Sequence, residues 1–211
     1  MSNARHVAIW RGLDGWRVET AAVDLGDGGL TARGTQIGTE PVPYRVHYRL
    51  DASDGFVTHA LTVTARGRGW RRELDLRHDG GGAWTVDAAV MGDVALPAPG
   101  GDAAALGGAL DCDLGLSPLT NLMPIRRSGL HRRAGARDFV MAWVSVPDLS
   151  VAASAQRYEH VRACSGGGSL VRYVDRGLFD GFTAELELDR DGLVVLYPGL
   201  AVRAGVEPTA A

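Results

Sequence analysis

Apolar and polar residues alternate along most of this chain, and that alternation is typical of strands with one buried and one wet face. In "YRVHYRLD" at 44–51, tyrosine, valine and leucine point to one side, and arginine, histidine and aspartate point to the other. The segments "FVTHALTVTA" at 56–65 and "WRRELDLRH" at 70–78 repeat the pattern. Asp54 and Gly55 lie between the first two segments and favour a hairpin turn there.

The C-terminal third of the chain alternates in the same way, with turn residues between its apolar runs. Four segments there have the strand pattern: "FVMAWVSV" at 139–146, "SLVRYVD" at 169–175, "FTAELELD" at 182–189 and "LVVLYP" at 193–198. The two β runs together predict an antiparallel meander with one wet face. Within the N-terminal run, strict alternation also places Val57 and Leu61 on one face of their strand and Thr58 on the other.

The middle of the chain, over 97–111, breaks the alternation because it is rich in glycine, alanine and proline. A short helix is predicted soon after it, over 117–122, with Ser117 as N-cap and Pro118 at the first helical position. Pro124 is expected to end that helix.

No linker and no repeat of fixed period divides the chain. It has 211 residues, of which 45% are hydrophobic and 22% charged, so it can bury a core without disulfides or a metal. We therefore expect one mainly β domain over residues 1–205, with an irregular, partly helical crossover between its two β runs. The last residues, 206–211, are expected to form a disordered tail.

Charge, cysteines and targeting signals narrow the functional classes. The formal net charge is -3, so the chain lacks the overall basic field that nucleic-acid binding needs. Cys112 and Cys164 are far apart and neither belongs to a CxxC motif, which indicates free thiols in a reducing compartment. The N-terminus lacks the apolar run of a signal peptide, and no stretch is long enough for a transmembrane segment. We expect a cytoplasmic protein.

Five stretches of the chain resemble the bacterial putative glycolipid-binding family. They are "DGWRVE" at 14–19, "LDLRHDGGGAW" at 74–84, "DCDLGLSPLTNLMPIRR" at 111–127, "WVSVPDLSV" at 143–151 and "GLVVLYPGL" at 192–200. The match runs in order across nearly the whole chain, and its central motif is long and unusual.

The resemblance implies a spiral β-roll, in which many antiparallel strands form one long, strongly curved sheet with one or two short helices. That shape is similar to open β-structures that carry lipids between bacterial membranes. The resemblance further implies a glycolipid or other lipid-like ligand in a groove of the curved sheet, with polar residues of the central motif at the rim.

The central motif opens with two carboxylates around a thiol, in "DCD" at 111–113. On a strand, Asp111 and Asp113 share one face and Cys112 points to the other. The carboxylates could cap the following turn or pair with arginines, could accept sugar hydroxyls, or could act as an acid/base pair on a glycosidic bond. The thiol could be a nucleophile, but no nearby histidine activates it, and a small buried side chain is the other interpretation.

Arg126 and Arg127 close the motif. If a strand begins at Pro124, one of them points inward and the other to solvent. An inward arginine could clamp a phosphate or a sugar acid bidentately. The alternative is a salt bridge to Asp111 or Asp113.

Aromatic and amide side chains supply the other candidates. Trp84 follows a glycine loop, and its ring could stack on a sugar, although tryptophans more often fill cores. Tyr158 and Tyr197 could present a hydroxyl at a groove edge, or lie in the core with that hydroxyl bonded. Asn121, in the turn of the central motif, completes the predicted ligand set.

The chain shows no metal or nucleotide motif. Its six histidines form no HxH or HExxH, and its glycine triplets are not followed by a helix signal. We predict no metal, no cofactor and a non-enzymatic binder. Two alternatives stay open: a protein-interaction module that uses an exposed sheet edge or apolar patch, and an enzyme acting on a sugar or lipid ester through Asp111, Asp113 or Cys112.

Overall fold

The computed structural model describes residues 4–179 and 181–205, in which fourteen strands form one sheet. The first seven are β1 (Ala4–Gly12), β2 (Arg17–Leu25), β3 (Leu30–Gly38), β4 (Tyr44–Ser53), β5 (Val57–Gly67), β6 (Trp70–His78) and β7 (Trp84–Gly92). The other seven are β8 (Asp111–Leu114), β9 (Ala136–Val144), β10 (Val151–Ala163), β11 (Ser169–Asp175), β12 (Thr183–Leu188), β13 (Val194–Tyr197) and β14 (Ala201–Arg203). The helical segments are 3-10 turns at Ala103–Leu106, Pro118–Asn121 and Ser165–Gly167, and helix α1 at Leu122–Ser128. The tail predicted at 206–211 lies outside the described residues.

The sheet consists of two runs, and within each run neighbouring strands are consecutive in the sequence. The two runs meet where β1 pairs with β14. Strands β1 to β7 form a meander towards one edge of the sheet, and β14 back to β8 form a second meander towards the other edge. The paired strands are antiparallel except for β8 and β9, which are parallel. The expectation of a mainly β roll with short helices is confirmed. The irregular segment expected at 97–111 is part of the crossover that carries the chain from β7 to β8.

Because neighbouring strands alternate in direction, the turns of the roll gather at its two ends. The turns after β1, β3, β5, β9, β11 and β13 lie at one end, which we call the open end. The turns after β2, β4, β6, β10 and β12 lie at the other end, which we call the closed end. The pairing of Gly12 with Ala201 fixes this assignment across the junction of the two runs.

The central motif fills the interior of the roll. Strand β8 runs towards the open end, the chain turns at 115–117, and the 3-10 turn and α1 return towards the closed end, where the last arginines of α1 bond to carbonyls of closed-end turns. The apolar side chains of the return path are fully enclosed: Leu119, Leu122, Met123 and Ile125. We call residues 111–128 the inner segment.

The helix predicted over 117–122 is present, but it does not end where predicted. Pro118 lies at the start of the 3-10 turn, but the side chain of Ser117 makes no capping bond. Pro124 lies in the first turn of α1 and does not end the helix, because N–H groups in a first turn have no helical partner for proline to remove. The helix continues to Ser128 and stops at Gly129, whose φ of 72° is left-handed.

Strand β5 contains a bulge that strict alternation does not predict. Its pairing with β4 shifts between Asp51 and Ala52, so that Ala52 faces Thr58. The shift turns Thr58 inward, where it is fully buried, and leaves Val57 only partly buried. The predicted grouping of Val57 with Leu61 on one face is therefore wrong.

The buried Thr58 holds the inner segment to the first run of strands. Its Oγ1 accepts the backbone N–H of Cys112 at 3.0 Å, and its own N–H donates to the carbonyl of Leu110 at 3.0 Å. Strand β8 pairs only with β9 in the described sheet, so these bonds supply partners that the sheet does not.

We expect Thr58→Val to lower the free energy of unfolding by about 1–3 kcal/mol, because valine keeps the shape but leaves the buried N–H of Cys112 without an acceptor. Thr62→Val, on the outer face of the same strand, is the control and should change stability by less than about 0.5 kcal/mol. Urea unfolding measures both. Equal effects of the two substitutions would contradict the assigned role of Thr58.

Candidate functional site

A pocket of about 510 Å³ lies at the open end of the roll. Its lining comes from the turn at 115–117, the end of β9, the turn after β11 and the end of β13. Most of the lining is apolar or aromatic: Leu114, Leu116, Trp143, Val146, Tyr173, Phe179, Phe182, Tyr197 and Leu200. The volume lies within the range of about 300–1,000 Å³ found for small-molecule sites.

Five aromatic rings form the walls of this pocket in two groups. Trp143 and Phe179 meet edge to face, with ring centroids 5.6 Å apart. In the second group, the centroid of Tyr173 lies 6.1 Å from that of Phe182 and 6.0 Å from that of Tyr197. Phe179 and Phe182 are about half exposed, whereas Tyr173 and Tyr197 are buried. The exposed phenylalanines therefore mark the mouth of the pocket.

Polar side chains line the buried end of the pocket. Asp113 lies on β8, and its carboxylate accepts bonds from the hydroxyl of Thr120 at 2.9 Å and the amide of Gln156 at 2.7 Å. Asn121 lies beside it in the 3-10 turn, and its Oδ1 accepts the hydroxyl of Tyr158 at 3.0 Å. The polar residues of the motif thus lie deep in the pocket and not at its rim.

Asp113 is the one Asp, Glu, Arg or His among the described lining residues. Burial raises the pKa of its carboxyl, and the bonds from Gln156 and Thr120 oppose that rise. The pocket therefore presents hydrogen-bond acceptors at its buried end and no cationic side chain from the described residues.

A second buried carboxyl, that of Glu19, lies outside the pocket and contacts one of its lining residues. Glu19 on β2 is almost fully buried, and its Oε1 accepts the hydroxyls of Tyr48 and Ser117, each at 2.6 Å. Ser117 itself lines the pocket. Burial raises the pKa of Glu19 to about 6, although hydrogen bonds and the charge of Arg17 lower it in part.

Four of the predicted ligand residues lie together at this end. Asp113, Asn121 and Tyr197 line the pocket, and Tyr158 lies directly behind Asn121. Tyr158 is fully buried, and its hydroxyl lies 3.0 Å from Oε1 of Gln156 as well, so its one proton is donated to an acceptor inside the protein. Direct contact with a ligand is thus open to the first three residues in this arrangement.

The other four predicted residues lie towards the closed end, outside the pocket lining. Asp111 is fully buried, and both of its carboxylate oxygens are bound by the guanidinium of Arg127. Arg126 donates to carbonyls of two closed-end turns and lies over the ring of Phe56. Trp84 is buried, and its indole N–H donates to the carbonyl of Ala109 at 3.0 Å. These side chains brace the inner segment and the crossover.

The arginines do not alternate between interior and solvent, because they lie on helix α1 and not on a strand. Of the two interpretations, the salt bridge to Asp111 describes Arg127. Arg127 also borders a separate cavity with Phe139, whose ring centre lies 5.4 Å from the guanidinium carbon. A bidentate clamp on a phosphate would require this arginine to leave a buried carboxylate.

The geometry does not favour catalysis by the DCD group. Burial raises the pKa of the Cys112 thiol to about 12, which is the opposite of what a thiolate nucleophile needs. Asp111 is committed to Arg127, and Asp113 faces the pocket. The two carboxylates therefore have different surroundings and do not flank one reacting bond.

Of the five aromatic residues in the pocket walls, only Tyr197 was among the predicted ligand residues. Trp143 is recognisable only as one of five tryptophans, and Phe182 only as a member of an apolar strand face. Tyr173 and Phe179 carry no motif. They meet because antiparallel pairing brings the ends of β9, β11 and β13 to the same end of the roll.

The described residues contain no group of three or more His, Cys, Asp or Glu side chains that could hold a metal ion. Among the helices of the described chain, none has the length and apolar character needed to cross a membrane.

Comparisons with known proteins support the resemblance inferred from the motifs. A family model described as "Putative glycolipid-binding" matches residues 7–203. Among solved structures, a DUF1089 family protein from Pseudomonas aeruginosa is 27% identical, with a TM-score of 0.65 and coverage of 86% of this chain and 90% of that chain. A beta-barrel-like protein of the domain of unknown function DUF1849 from Brucella abortus is 7% identical, with a TM-score of 0.45 and coverage of 95% and 94%. No curated protein matches the chain.

Glu19 gives stability a defined pH dependence. Its pKa is about 6 in the folded protein against an ordinary 4.5, so between these values the folded state holds a proton that the unfolded chain releases. The raised pKa contributes about 2 kcal/mol to the free energy of unfolding. This contribution is fully present below pH 4.5 and is lost as pH rises through 6. Glu19→Gln lacks this titration. The free energy of unfolding of the variant, minus that of wild type, should therefore rise by about 2 kcal/mol from pH 4 to pH 7.

Urea unfolding at a series of pH values measures this gap. Glu40→Gln, at an exposed position, controls for the loss of one carboxyl. A gap between Glu19→Gln and wild type that does not vary with pH would show that Glu19 ionises normally in the fold.

The buried pair of Asp111 and Arg127 makes a second prediction. Arg127→Met should lower the free energy of unfolding by about 3–5 kcal/mol, because it leaves the Asp111 carboxylate buried without its partner. Arg5→Met removes the exposed pair with Asp24 and should cost less than about 1 kcal/mol. If chemical denaturation gives similar losses for both variants, the brace does not have this role.

Proposed function

The chain belongs to the putative glycolipid-binding family, and we propose that it binds a glycolipid, or a lipid-like ligand with a comparable uncharged head group, in the pocket at the open end. The head group enters the pocket, and the acyl chains leave through its mouth. The observation that supports this best is a pocket with aromatic walls and with a carboxylate and an amide at its buried end.

The walls suit a sugar ring. The faces of aromatic rings carry partial negative charge and attract the C–H groups on the apolar face of a sugar. Trp143 and Phe179 offer such surfaces on one wall, and Tyr173, Phe182 and Tyr197 offer them on the other. Burial of a ring between two aromatic groups supplies affinity without requiring charge.

The buried end suits hydroxyl groups. Each oxygen of Asp113 accepts one bond within the protein and keeps a lone pair for a ligand hydroxyl. The amide nitrogen of Asn121 has only a long bond, 3.4 Å, to the carbonyl of Pro118, so it can donate to a ligand oxygen. An acceptor and a donor side by side match the dual character of a sugar hydroxyl.

The charge of the pocket supports a neutral head group. A phosphate or a sugar acid would face Asp113 with no cation among the described lining residues, because Arg127 is bound to Asp111 and Arg126 lies at the closed end. An anionic head group would therefore find no compensating charge, and the ionised form of Asp113 would repel it. The binding is non-enzymatic in this proposal, which is supported by the full burial of the Cys112 thiol and by the salt bridge that holds Asp111 to Arg127.

A second candidate function is protein interaction through the sheet edge. Strand β7 pairs only with β6 in the described sheet, and Val90 and Met91 on it are well exposed. Such an edge can accept a strand from another chain. This candidate predicts self-association or a protein partner and no small ligand.

Native mass spectrometry of freshly purified protein, with organic extraction of the same sample, tests the first candidate. We expect a stoichiometric adduct that extraction identifies as a lipid with an uncharged, hydroxyl-bearing head group. Phe182→Ala should weaken rebinding of that lipid about tenfold, or about 1.4 kcal/mol, because it removes one wall of the pocket. Ile9→Ala is the matched control, since both side chains are 43% exposed but Ile9 lies outside the pocket.

A protein that carries no lipid and gains none on incubation with neutral glycolipids would contradict the proposal. Equal loss of rebinding in the two variants would place the ligand outside this pocket. A doubled mass without any small molecule would favour the interaction through β7.

A further inference from the structure

Exposed apolar side chains gather on two turns at the open end. The turn after β1 carries Leu13 and Trp16, and Trp16 is 62% exposed. The turn after β11 carries Leu178, Phe179 and Phe182, and Phe179 is 54% exposed. We call these five residues the rim.

The two turns adjoin the mouth of the pocket. The backbone N–H of Leu13 donates to the carbonyl of Leu200 at 3.0 Å, and Leu200 lines the pocket together with Phe179 and Phe182. Leu116 lines both the pocket and a small cavity beside Trp16. The rim is thus continuous with the apolar lining of the pocket.

The location of the rim differs from that of other exposed apolar residues. Val7 and Ile9 lie on the outer face of β1, where the strand is regularly paired with β2. The rim residues lie on turns at the end of the roll and are at least 41% exposed, and the rings of Phe179 and Phe182 also contact the aromatic walls of the pocket. Exposed apolar residues on two neighbouring turns, with a tryptophan among them, suit a deformable interface between head groups and acyl chains, where aromatic side chains concentrate.

The charges near the rim favour a lipid surface without net charge. Asp14 lies between Leu13 and Trp16, and Arg17 binds its carboxylate at 3.0 Å. Arg176, at the start of the other turn, lies 3.4 Å from the carboxylate of Asp138. Neither turn offers an unpaired cation among its described residues, so attraction to anionic lipid is not the driving force.

We infer that the rim inserts into the interface of a zwitterionic bilayer and sets the mouth of the pocket against the membrane. The choice of a lipid surface as partner rests on the proposed function, because a ligand with acyl chains resides in such a surface. With the open end docked, acyl chains that leave the mouth stay among lipid tails while the head group occupies the pocket. The apolar rim then stays out of water in the docked state.

Flotation with phosphatidylcholine vesicles tests this inference. Wild-type protein should float with the vesicles, and the double variant Leu13→Ser, Trp16→Ser should lose about tenfold or more in vesicle affinity, because two inserted side chains become polar. The double variant Val7→Ser, Ile9→Ser is the control: it also replaces two exposed apolar residues, but on the outer face of β1, and it should bind vesicles like wild type. Neither Leu13 nor Trp16 lines the pocket at the open end, so both double variants should keep the affinity for a soluble short-chain glycoside.

Four outcomes would overturn the inference: absence of wild-type binding to phosphatidylcholine, equal losses in the two double variants, binding that requires anionic lipid and disappears with salt, or a rim-dependent dimer in light scattering without lipid. Vesicle binding without glycoside binding would leave the docking intact and refute the proposed function. Glycoside binding without vesicle binding would support the proposed function and refute the docking.

Discussion

The inner segment must find a partner for each of its polar groups, because it lies inside the roll and buried polar groups without partners are costly. Its partners come from both runs of strands. Glu19 on β2 and Thr58 on β5 bind it from one side, and Gln156 and Tyr158 on β10 bind it from the other. Among the described residues, the sheet itself joins the two runs through three residue pairs between β1 and β14. The inner segment therefore acts as a further connection between the two runs, beside the bonds from Trp10 to the carbonyl of Val194 and from Arg17 to the carbonyl of Leu200.

The path of the inner segment also makes the two ends of the roll different. The chain enters on β8, turns at the open end and returns as a helix, so that its bulkiest part fills the closed end. Arg126 and Arg127 then bond to carbonyls of closed-end turns. The turn at 115–117 lies at the open end, and the pocket is the space between this turn and the ends of β9, β11 and β13. The path of the inner segment thus places the helix at one end of the roll and a pocket-lining turn at the other.

This arrangement explains which features could be predicted from sequence. Strands such as 44–51 and 169–175 were predictable because a half-buried strand imprints a period of two on local sequence. The inward turn of Thr58 was not, because a bulge depends on the pairing of two strands and not on either alone. Pro124 was misjudged because its effect depends on whether it begins or interrupts a helix. The aromatic walls could not be predicted from sequence, because their residues come from separate strands and meet only in the folded roll.

The two DCD aspartates have different surroundings, and the brace interpretation describes both of them. Ligand contact is part of the proposed function at Asp113 alone. Asp111 is a brace alone, because Arg127 occupies both of its oxygens. Asp113 braces the inner segment through Thr120 and Gln156 and also lines the pocket, and each of its oxygens accepts only one bond from the described part of the protein. If the pocket binds a head group as proposed, folding stability and binding both depend on the Asp113 carboxyl, and a substitution there should alter both. The described aromatic side chains of the walls make no polar bonds to the inner segment, so under the same proposal a substitution there should change affinity and preserve the brace.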